Sequence, residues 1–130
     1  MAAPSFERKI VGVGATPFYC KAQCYAGVCY ASGQIGLVPG TKALAEGGIT
    51  AQSKQAFENL KSVLEESGSD LSSCLKVTAL LNDIADYNEF NKVWLEYFPD
   101  EAVRPARLCY GPGGLPFGAL VEVDATAIMK

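Results

Sequence analysis

Histidine is absent from this chain of 130 residues, and with it goes the side chain that most often serves as general base near neutral pH or as metal ligand. Ser-His-Asp, Cys-His and histidine-zinc chemistry are excluded. Catalysis has to come from Glu, Asp, Lys, Arg, Cys, Tyr, backbone groups or a positioned water. Long apolar runs are missing too. A membrane-crossing helix needs roughly 20 such residues, and charge, Gly or Pro interrupts every run well before that. No membrane association is expected. Residues 1–9, MAAPSFERK, lack the apolar core of a secretory leader, so the expected location is cytoplasmic. Arginine is scarce: Arg8, Arg104 and Arg107 are the full set, and any two-pronged clamp on a carboxylate or phosphate must use one of them. The net charge is −3 with the basic residues scattered, which argues against a phosphate-binding face and against nucleic acid as partner. C-x-x-C pairs are also missing. Cys20, Cys24, Cys29, Cys74 and Cys109 are odd in number and fit neither a disulfide framework nor a zinc site. They read as free thiols, and no metal is expected.

What is present is a globular composition, 49% hydrophobic and 19% charged, in a length that suits one domain over residues 1–130. Residues 9–13 read as an edge strand, and residues 23–25 and 28–32 as a hairpin around Ala26-Gly27. Residues 37–48 are a loop, with Thr50 as the cap of the helix that follows. Over residues 51–67, Ala56, Phe57, Leu60, Val63 and Leu64 recur at helical spacing, and Gly68 ends the run. Leu75, Val77, Ala79 and Leu81 alternate with more polar neighbours, as one buried strand face requires. Tyr87, Phe90, Val93, Trp94, Tyr97 and Phe98 form a stripe on a second helix stopped by Pro99, a pattern that reads as core. Residues 105–110 and 119–129 are the last strands, joined by a Gly- and Pro-rich connection. In the final strand Val121, Val123, Ala125 and Ala127 share one face, and Leu120, Glu122, Asp124, Thr126 and Ile128 the other. The order predicts an α+β sheet with both helices on one face and the other face needing cover. An oligomer would supply that cover.

Arg107 and Cys109 project to the same side of their strand. An arginine there, beside a glycine-rich loop, suits a carboxylate grip, and reads equally as an ion pair with Glu122 or Asp124. Cys109 has no partner placed to make it a nucleophile. Glu122 lies among valines, where burial would raise its pKa as a general base requires; a cross-sheet ion pair is the competing reading. Ser32-Gly33-Gln34 offers close backbone approach. Neither Gly12-Val13-Gly14 nor residues 111–114 complete a nucleotide-binding motif, so no nucleotide cofactor is expected.

Three segments together, Tyr30-Ala31-Ser32-Gly33-Gln34-Ile35, Pro105-Ala106-Arg107-Leu108-Cys109 and Leu115-Pro116 running into Ala119-Leu120-Val121-Glu122-Val123-Asp124-Ala125, resemble the YjgF/RidA family from about Gly14 onward. The resemblance implies a chorismate-mutase-like α+β fold assembled as a homotrimer with clefts between subunits. It implies hydrolytic deamination of enamines and imines such as 2-aminoacrylate and 2-iminobutanoate to 2-keto acids and ammonia, with no cofactor. Carried onto this chain, Arg107 would hold the substrate carboxylate, the Cys109 backbone the imine nitrogen, and Glu122 the attacking water; Ser32, Gly33 and Asn91 would line the pocket. Where the family often reads Pro-Tyr-Ser-Gln, this chain reads Pro17-Phe18-Tyr19-Cys20, which places Phe18 in the pocket without a hydroxyl and Tyr19 pointing elsewhere. The expected consequence is a shift of specificity. A ribonuclease or translation inhibitor, an activity also attached to the family, and a non-catalytic trimeric carboxylate-binding module are the alternatives.

Overall fold

The computed structural model describes residues 7–130. Six strands, β1 (Lys9–Val11), β2 (Ala22–Tyr25), β3 (Val28–Ile35), β4 (Cys74–Leu81), β5 (Ala106–Tyr110) and β6 (Val121–Ile128), form one mixed sheet in the order β1-β2-β3-β6-β4-β5. Helix α1 (Gly48–Glu66) connects β3 to β4, and helix α2 (Tyr87–Tyr97) connects β4 to β5. Strand β6 lies between β3 and β4 and runs antiparallel to both, while β4 and β5 pair directly in parallel. Both helical crossovers therefore join parallel strands and advance in the same direction across the sheet. Crossovers of this kind are right-handed in nearly all cases, which sends both helices to one face.

The core forms between that face and the helices. Phe57, Leu60 and Leu64 of α1 and Phe90, Val93 and Trp94 of α2 meet Val77, Ala79, Leu81, Val121, Val123 and Ala125 of the sheet in one cluster. Each large side chain buried there contributes about 1.5–3 kcal/mol. Phe57 is the hub, with ring centroids 5.8 Å from Phe90 and 5.0 Å from Tyr97. The C-terminus of α1 is closed by Gly68 at φ 85°. Its amide bonds to Glu65 O and that of Ser69 to Leu64 O, the paired bonds of a Schellman motif. Among the described residues no helix is long and apolar enough to cross a membrane.

Four local expectations change. Helix α1 begins at Gly48, behind Gly47 at φ 120° with no side-chain cap, so Thr50 lies within the first turn and caps nothing. β1 stops at Val11 because Gly12, at φ 68°, starts a turn closed by the Ala15 amide on its carbonyl. Leu75 is exposed and Cys74 is buried, since the β4–β6 register shifts between Cys74 and Lys76 and turns Leu75 outward. Finally, the five thiols are not all free: a disulfide joins Cys24 to Cys29, leaving Cys20, Cys74 and Cys109 reduced. The cause is the hairpin. Ala26 and Gly27, both at positive φ, form the two-residue turn that sets Cys24 directly opposite Cys29.

The second sheet face has no layer over it in the described chain. Ile10, Tyr25, Tyr30, Leu108, Tyr110 and Ile128 are all exposed, and strand register puts them on this side together with Glu122 and Asp124.

Candidate active site

Glu122 owes its position to an irregularity in β3. Ala31 pairs with Ala125 and Gln34 with Val123, so Ser32 and Gly33 together oppose Asp124. Two residues against one make a β-bulge, which re-aims the side chains around it. It brings Gly33 against the Glu122 carboxylate: a β-carbon on Gly33 would lie 2.9 Å from Oε2 and 3.0 Å from Cδ. Only glycine leaves room for the carboxylate as it stands. The Ser32 hydroxyl donates to the Cys20 carbonyl at 2.8 Å, and the Ser32 amide to Lys21 O at 2.8 Å, tying the segment before β2 to the bulge. Within that segment Thr16 Oγ1 accepts the amides of Phe18 and Tyr19, each at 3.0 Å. The result is a cleft of about 230 Å³ with Tyr19, Ser32, Gly33, Pro116, Phe117 and Glu122 on its walls.

Burial pushes the Glu122 carboxyl above the usual carboxylate range, and the charge of Asp124 on the same face adds to the shift. A carboxylate held this way takes a proton more readily than an exposed one, which suits it to draw a proton from water.

Arg107 sits elsewhere. It pairs with Val77, which pairs with Ala125, so its side chain rises on the helix face and lies along α2. Nη1 donates to Asn91 Oδ1 at 2.7 Å and Nη2 to the Tyr87 hydroxyl at 2.9 Å. The guanidinium carbon stands 4.7 Å from the centre of the Trp94 ring, within cation–π range. These two bonds use two of the five guanidinium N–H groups, leaving three for a ligand. Cys109 follows on the same side, its thiol pushed up by burial against a smaller opposing pull from Arg107. Since β5 is the last strand of the sheet, one side of its backbone has no ladder partner among the described residues and is open to hydrogen bonding.

The expected site residues thus fall into two groups. Ser32, Gly33 and Glu122 gather at the bulge, and Arg107, Cys109 and Asn91 gather between β5 and α2. One chain does not unite them, because Glu122 shares a row with Leu80 and Tyr110 on the open face while Arg107 and Cys109 project from the other. An ion pair of Arg107 with Glu122 or Asp124 within the chain is ruled out for the same reason. Asn91 holds Arg107 and does not line the cleft. Phe18 is not on the cleft wall: it is 88% exposed, and Tyr19 occupies the wall in its place. The phenol of this segment thus belongs to a wall residue, one position further along than expected. Three contributors escaped the sequence reading. Tyr87 and Trp94, counted there as core stripe, hold the arginine; their spacing from Asn91 at i, i+4 and i+7 was the available signal. Phe117 carried no signal beyond its place in the glycine- and proline-rich connection.

A two-helix α+β protein with a six-stranded mixed sheet and a glutamate cleft beside a bulge is the class that fold and site define. The profile described as Endoribonuclease L-PSP matches residues 12–129. The human protein named 2-iminobutanoate/2-iminopropanoate deaminase is 37% identical over 128 residues, covering 95% of this chain and 92% of its own. Reactive Intermediate Deaminase A, chloroplastic, of Arabidopsis thaliana is 31% identical, covering 99% and 70%. Among solved structures, an endoribonuclease L-PSP from Entamoeba histolytica superposes with a TM-score of 0.86 at 41% identity, covering 95% of this chain and all of its own. RidA from an Antarctic Psychrobacter superposes at 0.81 with 31% identity, covering 92% and 94%. The chain belongs to the YjgF/RidA family, also called the endoribonuclease L-PSP family.

Proposed function

We propose that this protein hydrolyses reactive imines and enamines of the 2-iminopropanoate/2-aminoacrylate and 2-iminobutanoate type to 2-keto acids and ammonia, in clefts shared by adjacent copies of a homotrimer. The observation that carries the reading is the split site. An arginine with three free N–H groups and a proton-accepting glutamate point from opposite faces of one sheet, so they converge only when the open face of one copy meets the β5 edge of another. The exposed apolar residues on that open face supply the contact area.

In this reading the Arg107 fork grips the substrate carboxylate and main-chain groups of β5 at Cys109 hydrogen-bond the imine nitrogen. Glu122 of the neighbouring copy, with Tyr19 on the wall of the same cleft, holds a water against C2. An enamine first takes a proton at C3 to become the iminium, the protonated imine. Water then adds to C2 as Glu122 accepts one of its protons, giving a carbinolamine. Glu122 returns that proton to nitrogen, and as the C–N bond breaks and ammonia leaves, the carbinolamine hydroxyl gives its own proton to the freed carboxylate and becomes the carbonyl oxygen of the 2-keto acid. The imine carbon is already electrophilic, and orientation with a polarised water is enough.

The test generates 2-iminobutanoate in situ and follows its decay with the parent protein, Arg107→Ala and Glu122→Gln, each checked for folding by circular dichroism. Acceleration by the parent and its loss in both variants supports the reading. A folded parent that binds small carboxylates without turnover would move the assignment to a binding module.

A further inference from the structure

Phe117 has a backbone that a bulky residue rarely adopts. It sits at φ 61°, ψ 14° in the short turn Pro116–Gly118, and Ala26 is the one other non-glycine residue at positive φ among those described. Ala26 is explained by its two-residue hairpin turn; Phe117 is in no hairpin. A large side chain in the left-handed region is a strained arrangement that persists where surrounding structure or function requires it. Core packing does not require it here, since the residue is 64% exposed. What the conformation achieves is placement: Phe117 stands on the wall of the Glu122 cleft with Tyr19, Ile35, Leu37 and Pro116.

We infer that Phe117 is a specificity-determining wall and that the cleft selects 2-imino acids with bulky apolar or aromatic side chains over the smallest ones. The inference rests on the imine-hydrolase reading and names its substrate class. With the reacting carbon beside the water on Glu122 and the carboxylate committed to Arg107 of the neighbouring copy, the substrate side chain is left facing the remaining wall. Phe117, Leu37 and Pro116 with the ring of Tyr19 form the apolar part of that wall, beside the polar Thr16, Lys21, Gln34 and Asn59. A methyl group covers little of it. A branched or aromatic side chain removes far more apolar surface from water, and each added methylene in such a pocket changes discrimination about 10- to 200-fold at most.

An amino-acid oxidase acting on alanine, 2-aminobutyrate, leucine or phenylalanine supplies the four imines in situ, and kcat/KM is measured for each with the parent, Phe117→Ala and Phe117→Gly. Glycine fits the left-handed backbone, so Phe117→Gly removes the ring without adding strain. The expected result is a parent that favours the leucine- and phenylalanine-derived imines, and a ratio of phenylalanine-derived to alanine-derived kcat/KM that drops about tenfold or more in both variants. A ratio unchanged within about twofold in both variants overturns the inference, as does an equal fall for all four imines accompanied by loss of assembly, which would make Phe117 a subunit contact. A parent that hydrolyses none of the four removes the hydrolase reading itself, and this inference with it; a parent that hydrolyses all four equally removes only the inference.

Discussion

Replacing Gly33 with alanine probes the bulge at its tightest point. The added β-carbon would stand 2.9 Å from Glu122 Oε2, against the 3.4–4 Å of ordinary van der Waals contact. The carboxylate must therefore retreat by about 0.5–1 Å, because the alternative is to move the paired strands that carry it. Gly33 does not occupy a positive-φ conformation, so alanine suits its backbone, and loss of unfolded-state freedom contributes about 0.4–1 kcal/mol in favour of the variant. That gain offsets much of the contact with the movable end of one side chain, and stability should stay within about 1 kcal/mol of the parent. Activity should not. A misplacement approaching 1 Å reduces rate on the order of 100-fold, equivalent to roughly 2.7 kcal/mol at the transition state. Gly33→Ala should thus keep its melting temperature within a few degrees while kcat for imine hydrolysis falls about 10- to 100-fold. Thermal unfolding and kcat measured on one preparation decide the matter. A fully active variant, or one that loses activity only by unfolding, would refute the argument that Gly33 sets the position of Glu122.

Three further expectations follow from the geometry. Tyr19→Phe, which deletes the hydroxyl of a cleft-wall residue, should lower kcat/KM about 10-fold, whereas Phe18→Tyr should leave it within about twofold, since Phe18 is off the wall; steady-state kinetics on both would show a reversed order if the wall residue were misassigned. Because the folded pKa of Glu122 is raised, its carboxylate protonates on acidification earlier than an ordinary one, so the acid limb of kcat should lie above the usual carboxylate range. For stability the sign is opposite to that of an ion-paired acid: the penalty of the ionised group is absent below the unfolded pKa and grows as pH rises through the folded one. Glu122→Gln should therefore melt higher than the parent at neutral pH, by a margin that shrinks on acidification; a constant margin would contradict it. Thiol titration of the protein denatured without reductant should count three cysteines, and five after reduction. Reduction should lower stability by about 2 kcal/mol on the chain-entropy account of so short a loop.

Regular elements were legible where side-chain periodicity reports burial directly. The faces of β6 and the core stripes of α1 and α2 follow from their spacing alone. Departures cluster where one residue of register decides the outcome. The shift at Cys74/Lys76 exchanges Leu75 for Cys74, and before β2 the chain is not extended but turns, with Thr16 Oγ1 accepting the amides of Phe18 and Tyr19, which leaves Tyr19 and not Phe18 on the wall. The cysteine pair was missed for a related reason: a cross-strand bridge depends on distance from the turn, and no sequence spacing of the C-x-x-C kind announces it. The start of α1 is set by two glycines and not by a capping side chain. Arg107 and Glu122 were visible as residue types, but their placement on opposite faces follows from the strand order β6-β4-β5, which a linear reading does not supply.

The claim on which the rest depends is that one copy contributes Arg107 and its neighbour Glu122. Arg107→Ala and Glu122→Gln, each inactive alone, should be mixed one to one, unfolded and refolded together, and assayed for 2-iminobutanoate hydrolysis. In a closed ring with heterologous contacts, random mixing joins an intact arginine to an intact glutamate at about one site in four, so about a quarter of the parent activity should return. If both residues belonged to a site within one chain, every chain in the mixture would still lack one of them. Activity that stays at the level of the separate variants, in a mixture shown to contain refolded oligomer, would contradict the account.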